Sequence, residues 1–137
     1  MKYFRIHSNE IGFRTQQPVG LFVAIWTLVD KKILSEDEIS EYWIQRKWFE
    51  ENLPVPPFYN DGNSINAITW YKNNDMGNSM YKRMNFYLDM AAKYNMPLSI
   101  SVCAEEPGRI VYEDDYQIGV VDCVSDSCRI VTKDFLK

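Results

Sequence analysis

The sequence predicts one α+β domain, with an opening strand, a helical middle and a mainly antiparallel sheet completed by C-terminal strands. Three observations predict this class. Residues near the start alternate between apolar and polar, a capped aromatic-rich segment follows, and after Pro97 the apolar residues recur with a period of two. At 137 residues the chain can bury roughly two thirds of its unfolded surface in one core. Because no linker or internal repeat divides it, we expect a single globular domain over residues 1–137.

The opening strand is predicted over residues 2–7. Its side chains alternate, with Phe4 and Ile6 on one face and Arg5 and His7 on the other. We interpret the first face as buried and the second as a polar, exposed face.

A capped helix is predicted over residues 36–52. Ser35 can cap its first turn while Glu38 bonds back to Ser35, and Pro54 begins the segment that ends it. The apolar stretch before it, residues 20–29, has an ambiguous period. It is either a buried strand that passes into a helix or a helix from its start.

The second half of the chain adds a strand, a helix and four more strands. A turn at residues 60–63 precedes a strand at residues 67–71. An amphipathic helix is predicted over about residues 79–94, which gives two or three helices in all. The closing strands are predicted over residues 98–103, 109–113, 116–122 and 129–132. Their short connections favour antiparallel pairing.

Composition and charge exclude several classes of function. The net charge is -4 and basic residues are scattered, so we expect no general nucleic-acid binding. No apolar run reaches the ~20 residues of a membrane span, and the first residues lack a signal-peptide pattern. We expect a cytoplasmic protein with no membrane segment.

The cysteines support the same expectation. Cys103, Cys123 and Cys128 are an odd set without a C-x-x-C pair, so we predict buried structural thiols in a reducing compartment. A zinc site would need all three together with His7, and we predict no metal. We interpret the acidic run at residues 113–115 as a solvated hairpin turn rather than as a metal site.

Three short segments carry a family resemblance. Residues 3–7 are Tyr-Phe-Arg-Ile-His, residues 20–24 are Gly-Leu-Phe-Val-Ala, and residues 107–119 form an alternating pair that contains Glu113 and Gln117. In this order they resemble the ADP-ribosyltransferase superfamily, whose polymerase-like branch has a strand carrying His or Arg, a Gly-Ile-Tyr-Phe-Ala strand, and a late strand pair carrying Glu or Gln.

The resemblance implies an NAD-binding domain that transfers ADP-ribose to a protein or nucleic acid. Arg5 or His7 would bond the adenosine-side ribose or a phosphate. Phe22, which stands where the family has Tyr, would stack on the nicotinamide. Glu113 or Gln117 would contact the nicotinamide ribose, where positive charge develops in the transition state. This interpretation predicts a cleft between the opening strand and the terminal strand pair.

An interpretation from another class stays open, because the familiar catalytic signatures are missing and whether the domain is an enzyme is undecided. The chain has four Trp, nine Tyr and seven Phe, and large rings are favoured at interfaces. The alternative is a non-catalytic bacterial or phage-encoded modulator that binds a protein partner through an aromatic, acidic surface. It predicts an exposed patch of rings without a convergent polar pocket.

Overall fold

A seven-stranded antiparallel sheet organises the part of the chain that the computed structural model describes, residues 1–124 and 126–132. Its strands are β1 (Tyr3–Ile11), β2 (Pro18–Gly20), β3 (Ile68–Lys72), β4 (Leu98–Cys103), β5 (Arg109–Glu113), β6 (Gln117–Val121) and β7 (Cys128–Val131). The order across the sheet is β5-β6-β3-β1-β4-β7, and β2 also pairs with β1. The opening strand therefore lies in the middle of the sheet.

Five helices lie within these described residues, and together with the sheet they confirm the α+β class. They are α1 (Leu21–Asp30), α2 (Glu36–Asn52), α3 (Pro57–Asn60), α4 (Asp75–Lys82) and α5 (Asn85–Lys93). The first residue of the ambiguous segment, Gly20, ends β2, and the rest of the segment is helical because α1 begins at Leu21. The prediction of two or three helices is too low.

The capping box of α2 is confirmed in both directions. The Glu38 backbone N–H donates to the Ser35 hydroxyl at 3.2 Å, and the Ser35 backbone N–H donates to the Glu38 carboxylate at 2.9 Å. These bonds satisfy two of the free donors of the first turn, which fixes where the helix begins.

The single helix predicted over residues 79–94 is wrong, because the structure has α4 and α5 in its place. The first begins earlier, where the Asn74 side chain accepts the Gly77 backbone N–H at 2.8 Å. Arg83 and Met84 then have ψ angles of -4° and 6°, which interrupt the helical backbone between the two elements. The apolar stripe that suggested one helix survives, since Met80, Met84 and Tyr87 all lie in the core.

The helices cover one face of the sheet. Phe4 and Ile6 of β1 lie in the main core with Ile25 of α1 and Tyr87 of α5. The other face carries a smaller apolar cluster formed by Ile68, Trp70, Cys103, Ile118 and Val120. The predicted alternation of β1 is confirmed. The face that carries Arg5 and His7 was predicted to be exposed, but both residues are buried.

The prediction of three free thiols is corrected by a disulfide between Cys103 and Cys128. The two residues are directly opposite each other in the β4–β7 pairing, with Cα atoms 4.2 Å apart. The register of the β4–β7 pairing decides which residues are opposite each other, and the spacing of cysteines in the sequence does not give this register. Cys123 keeps a free thiol.

No helix among the described residues combines the length and the apolar character that crossing a membrane requires. The cytoplasmic location stays a prediction.

Candidate functional site

Two of the five predicted site residues are close together. Arg5 and His7 lie two residues apart on β1 and face the side of the sheet opposite the main helices. Phe22 lies on the helical side, where its ring packs against Phe49 and Tyr87 at centroid distances of 5.0 and 5.2 Å. An aromatic ring in that position is part of the core.

The two predicted catalytic residues lie elsewhere. Glu113 ends the edge strand β5 and forms an ion pair with Lys72 at 2.6 Å. It is three strands from β1, which is roughly 14 Å at the usual strand spacing. Gln117 is buried, and its amide donates to the Pro54 carbonyl at 2.7 Å and to the Asp114 carboxylate at 3.1 Å.

The five residues therefore do not line one pocket in the described structure. Gln117 has a structural explanation in the hairpin, because the Asp114 carboxylate also accepts the backbone N–H groups of Tyr116 and Gln117. The acidic run lies in the β5–β6 hairpin turn, as predicted, and the structure adds that Asp114 organises this turn. The roles of the five predicted site residues toward NAD remain predictions from the resemblance.

A polar row crosses the sheet at Arg5. The β1–β4 register places Arg5 opposite Ser101. The β1–β3 pairing ends with Phe4 opposite Tyr71, and Trp70, the residue before Tyr71 on β3, lies by alternation on the same face as Arg5. Directly opposite side chains on one sheet face are about 5 Å apart at Cβ, so Arg5 and Ser101 are neighbours, and Trp70 lies on the same face of β3, the next strand on the other side of β1.

His7 extends this row with two hydrogen bonds. Its Nδ1 lies 2.8 Å from the Ser8 carbonyl oxygen, and its Nε2 lies 2.7 Å from Ser101 Oγ. A carbonyl only accepts, so Nδ1 carries the proton in the neutral ring, and Nε2 accepts from the serine hydroxyl. These two bonds hold His7 in one neutral tautomer, in which the unprotonated Nε2 accepts the hydrogen bond of the Ser101 hydroxyl.

Burial of this row is unusual for its chemistry. Arg5, His7 and Trp70 are only 8, 6 and 7% exposed. Within residues 1–124 and 126–132, the Arg5 guanidinium has no hydrogen bond or ion pair, and the buried Trp70 Nε1–H has no acceptor. The buried Trp70 indole N–H and the guanidinium of Arg5, on the same face of neighbouring strands, thus lack a partner, where buried polar groups are ordinarily satisfied.

Electrostatics follow from the same burial. Desolvation lowers the pKa of Arg5 and lowers the pKa of His7. For His7, the bond to the Ser8 carbonyl opposes the shift and the Arg5 charge adds to it. Cys123 is also near: burial raises the pKa of its thiol, and the positive charge of Arg5 opposes that rise.

We name Arg5, Trp70, His7 and Ser101 the Arg5 cluster. The chain gave no match to protein-family models, to curated proteins or to solved structures. The Arg5 cluster offers two donors for an anion and, on the same sheet face, a hydroxyl bonded to a neutral imidazole. No group of three or more His, Cys, Asp or Glu in the described part of the chain could hold a metal.

Sequence reasoning singled out half of the Arg5 cluster. The alternation of β1 puts Arg5 and His7 on one face. Trp70 and Ser101 were missed, because their nearness to Arg5 follows from pairings with strands more than 60 residues away in sequence. A serine within a period-two strand gave no further signal.

A separate cavity of about 290 Å³ lies on the helical side. Trp48, Lys82, Arg83 and Tyr116 are among its lining residues, and the Arg83 guanidinium stacks over the Trp48 ring at 4.5 Å. None of the residues of the Arg5 cluster lines it. Its two basic side chains are at the C-terminal end of α4, where cations complement the helix dipole.

Proposed function

We propose that this domain binds a small anionic ligand through a carboxylate or phosphate group held by Arg5 and Trp70. The observation that carries the proposal is that two donors on one face of neighbouring strands, the Arg5 guanidinium and the buried Trp70 indole N–H, have no acceptor among the described residues. An isolated buried charge is destabilising unless it is paired. An anion would accept a charge-assisted bond from the guanidinium and a second bond from the indole N–H.

The geometry favours a ligand with one compact anionic group over a long polyanion. The Arg5 cluster contains one guanidinium, and the net charge of the chain is -4. A nucleotide pyrophosphate is one member of this ligand class, so NAD or ADP-ribose is a specific form of the proposal. In that form Arg5 or His7 would bond the adenosine-side ribose or a phosphate, as the resemblance implies.

The proposal is tested by thermal unfolding with added inorganic phosphate, succinate, ADP-ribose and NAD, each as a separate titration. A ligand at a hundred times its dissociation constant stabilises the folded state by about 2.7 kcal/mol. We expect at least one of these anions to raise the melting temperature of the wild type. Stabilisation by ADP-ribose and NAD alone would favour the nucleotide form.

Arg5→Met distinguishes specific binding from a general salt effect. It removes an unpaired buried cation and keeps the length of the side chain, so we expect the free protein to be as stable as the wild type or more stable. The anion-dependent rise in melting temperature should be lost. Arg109→Met is the control, since Arg109 is exposed and bonded to Asp122 at 3.2 Å, and it should keep the rise. An unchanged rise in Arg5→Met would refute the site.

A second candidate function, binding of a protein partner, is favoured by an exposed aromatic patch on α1 and α2. Trp26 and Trp43 are 37 and 47% exposed, and their rings are 6.1 Å apart at an angle of 71°. The Arg46 guanidinium lies over both rings, at 5.6 and 5.2 Å. Exposed Trp and Arg side chains are typical anchors of protein interfaces.

This candidate is tested by affinity capture with immobilised wild-type protein and with Trp43→Ser. We expect a partner that is retained by the wild type and lost with the variant. Ile130→Ser, at another exposed apolar side chain, should leave its capture unchanged. Equal capture by all three proteins would exclude the patch as the binding surface.

A further inference from the structure

The bond between His7 and Ser101 has the arrangement of a base and a nucleophile. Ser101 Oγ donates to His7 Nε2 at 2.7 Å, and the other ring nitrogen donates to the Ser8 carbonyl at 2.8 Å. An activated serine needs a base within hydrogen-bond reach and a third group that orients the base. Here a backbone carbonyl orients the imidazole.

The surroundings of the pair suit this chemistry. His7 is buried, whereas Ser101 is only partly buried, so the base is shielded from water while the residue that carries the hydroxyl keeps contact with solvent. Burial lowers the pKa of His7, so the ring is neutral at pH 7 and can accept a proton. The charged group next to it is Arg5, which disfavours a second proton on the ring.

We propose that Ser101 is the nucleophile, and His7 the general base, of an acyl-transfer reaction on small esters that carry a carboxylate or phosphate group. The ester class rests on the proposed function, because Arg5 and Trp70 would hold the anionic group. Arg5 is directly opposite Ser101. The ester carbonyl would therefore lie a short distance from the group that anchors the substrate, which is how binding at one point positions a reacting bond.

The reaction proceeds in two balanced halves. Ser101 Oγ forms a bond to the ester carbonyl carbon while its proton moves to His7 Nε2. The carbon–oxygen bond to the leaving alcohol then breaks, and the leaving oxygen takes the proton from Nε2. In the second half a water molecule attacks the acyl-serine, gives its proton to Nε2, and the departing Ser101 Oγ takes that proton back. The sum is ester plus water giving acid plus alcohol.

The first experiment uses the wild-type protein and a fluorophosphonate probe, followed by intact-mass measurement and peptide mapping. We expect one adduct, on Ser101. His7→Gln should lower the labelling rate at least about 100-fold, the usual effect of losing a general base. Ser99→Ala is the matched control: Ser99 lies on the same strand and face, bonds Asn9 at 3.4 Å, and should leave labelling unchanged.

The second experiment compares two esters, 4-nitrophenyl hydrogen succinate and 4-nitrophenyl acetate. We expect a kcat/KM at least about 10-fold higher for the succinate ester, because only it carries a carboxylate for Arg5. Ser101→Ala should abolish turnover of both esters. Arg5→Met should remove the preference for succinate, which is measured as the ratio of the two kcat/KM values.

The outcomes separate this inference from the proposed function. Absence of an adduct on Ser101, or turnover that is equal in the wild type and Ser101→Ala, overturns the inference. In that case, a rise in the melting temperature of Ser101→Ala with phosphate or succinate would show that the variant is folded and that the protein binds anions without being a catalyst. If Ser101 is labelled but no anion raises the melting temperature of the wild type, the role of Ser101 as nucleophile is supported and the anionic substrate class is refuted.

Discussion

At the scale of single residues, Gly77 shows how closely α4 approaches the sheet. A Cβ atom on Gly77 would be 1.9 Å from the backbone carbonyl oxygen of Lys72 and 2.8 Å from its carbon. Backbone atoms of a strand cannot move aside as the end of a flexible side chain can. The close approach therefore requires glycine at this position of α4, although glycine has a low helix propensity.

We predict that Gly77→Ala destabilises the protein by at least about 2 kcal/mol, because overpacking against a rigid neighbour outweighs the gain in helix propensity. The measurement is the midpoint of urea unfolding. Gly62→Asn is the control: Gly62 has a φ of 75° with open space around it, and Asn tolerates that conformation. A midpoint of Gly77→Ala equal to that of the wild type would contradict the close approach.

The Arg5 cluster also shows what residue patterns can predict. Alternation in β1 predicts correctly that Arg5 and His7 share a face, because the period of a strand is a local property. It predicts the wrong degree of exposure, since Arg5 and His7 are buried. Burial depends on what surrounds and covers a sheet face, and here Trp70 and Ser101, on the strands beside β1, come from parts of the chain distant in sequence.

At the scale of elements, Glu38 links the start of α2 to the end of α5. Its carboxylate accepts from the Ser35 backbone N–H at 2.9 Å, from Lys93 Nζ at 2.7 Å and from the Tyr94 hydroxyl. These bonds, with Lys93 and then Tyr94 contributing most, lower the pKa of Glu38 to about 2. One side chain thus completes a helix cap and fastens a second helix.

We predict that this link weakens as the pH falls from about 4.5 toward 2. Over that range the unfolded chain binds a proton at Glu38 more readily than the folded chain, so stability decreases with falling pH. Glu38→Gln keeps an acceptor for Ser35 but loses the charge that Lys93 meets. It should be less stable than the wild type at pH 7, and the difference should shrink near pH 2.

The measurement is urea unfolding of both proteins at pH 7, 4 and 2.5. Glu51→Gln is the control for charge, because Glu51 forms only an exposed pair with Lys47 at 3.9 Å and such pairs contribute little. A stability difference between wild type and Glu38→Gln that stays constant across this range would show that the carboxylate charge is not what fastens the helices.

Elements with a local signal were predicted and those without one were not. The bounds of α2 follow from Ser35, Glu38 and Pro54, which lie at its two ends. The interruption between α4 and α5 has no proline, and the glycine at position 77 lies inside α4. The interruption occurs at Arg83 and Met84. The apolar residues of α4 and α5 keep the same periodicity across this gap, so the pattern alone indicates one helix.

At the scale of the whole molecule, strand order was beyond sequence reasoning. The last strands along the chain lie at opposite sides of the sheet, with β5 and β6 beyond β3, and β7 beyond β4. Pairing of strands far apart in sequence depends on the packing of the complete fold and not on local periodicity. The disulfide belongs to the same class of feature, because Cys103 and Cys128 become neighbours only through the β4–β7 register.

We predict that this disulfide stabilises the fold by about 3 kcal/mol, since it closes a loop with a sequence separation of 25 and so restricts the unfolded chain. Reduction should lower the urea midpoint of the wild type by the corresponding amount. Cys103→Ala/Cys128→Ala should unfold at the midpoint of the reduced protein and show no effect of reductant. Cys123→Ser should retain the full effect, because Cys123 is a free thiol. Equal midpoints of the wild type with and without reductant would mean that the β4–β7 pairing, together with the core behind it, holds this edge of the sheet without a covalent link.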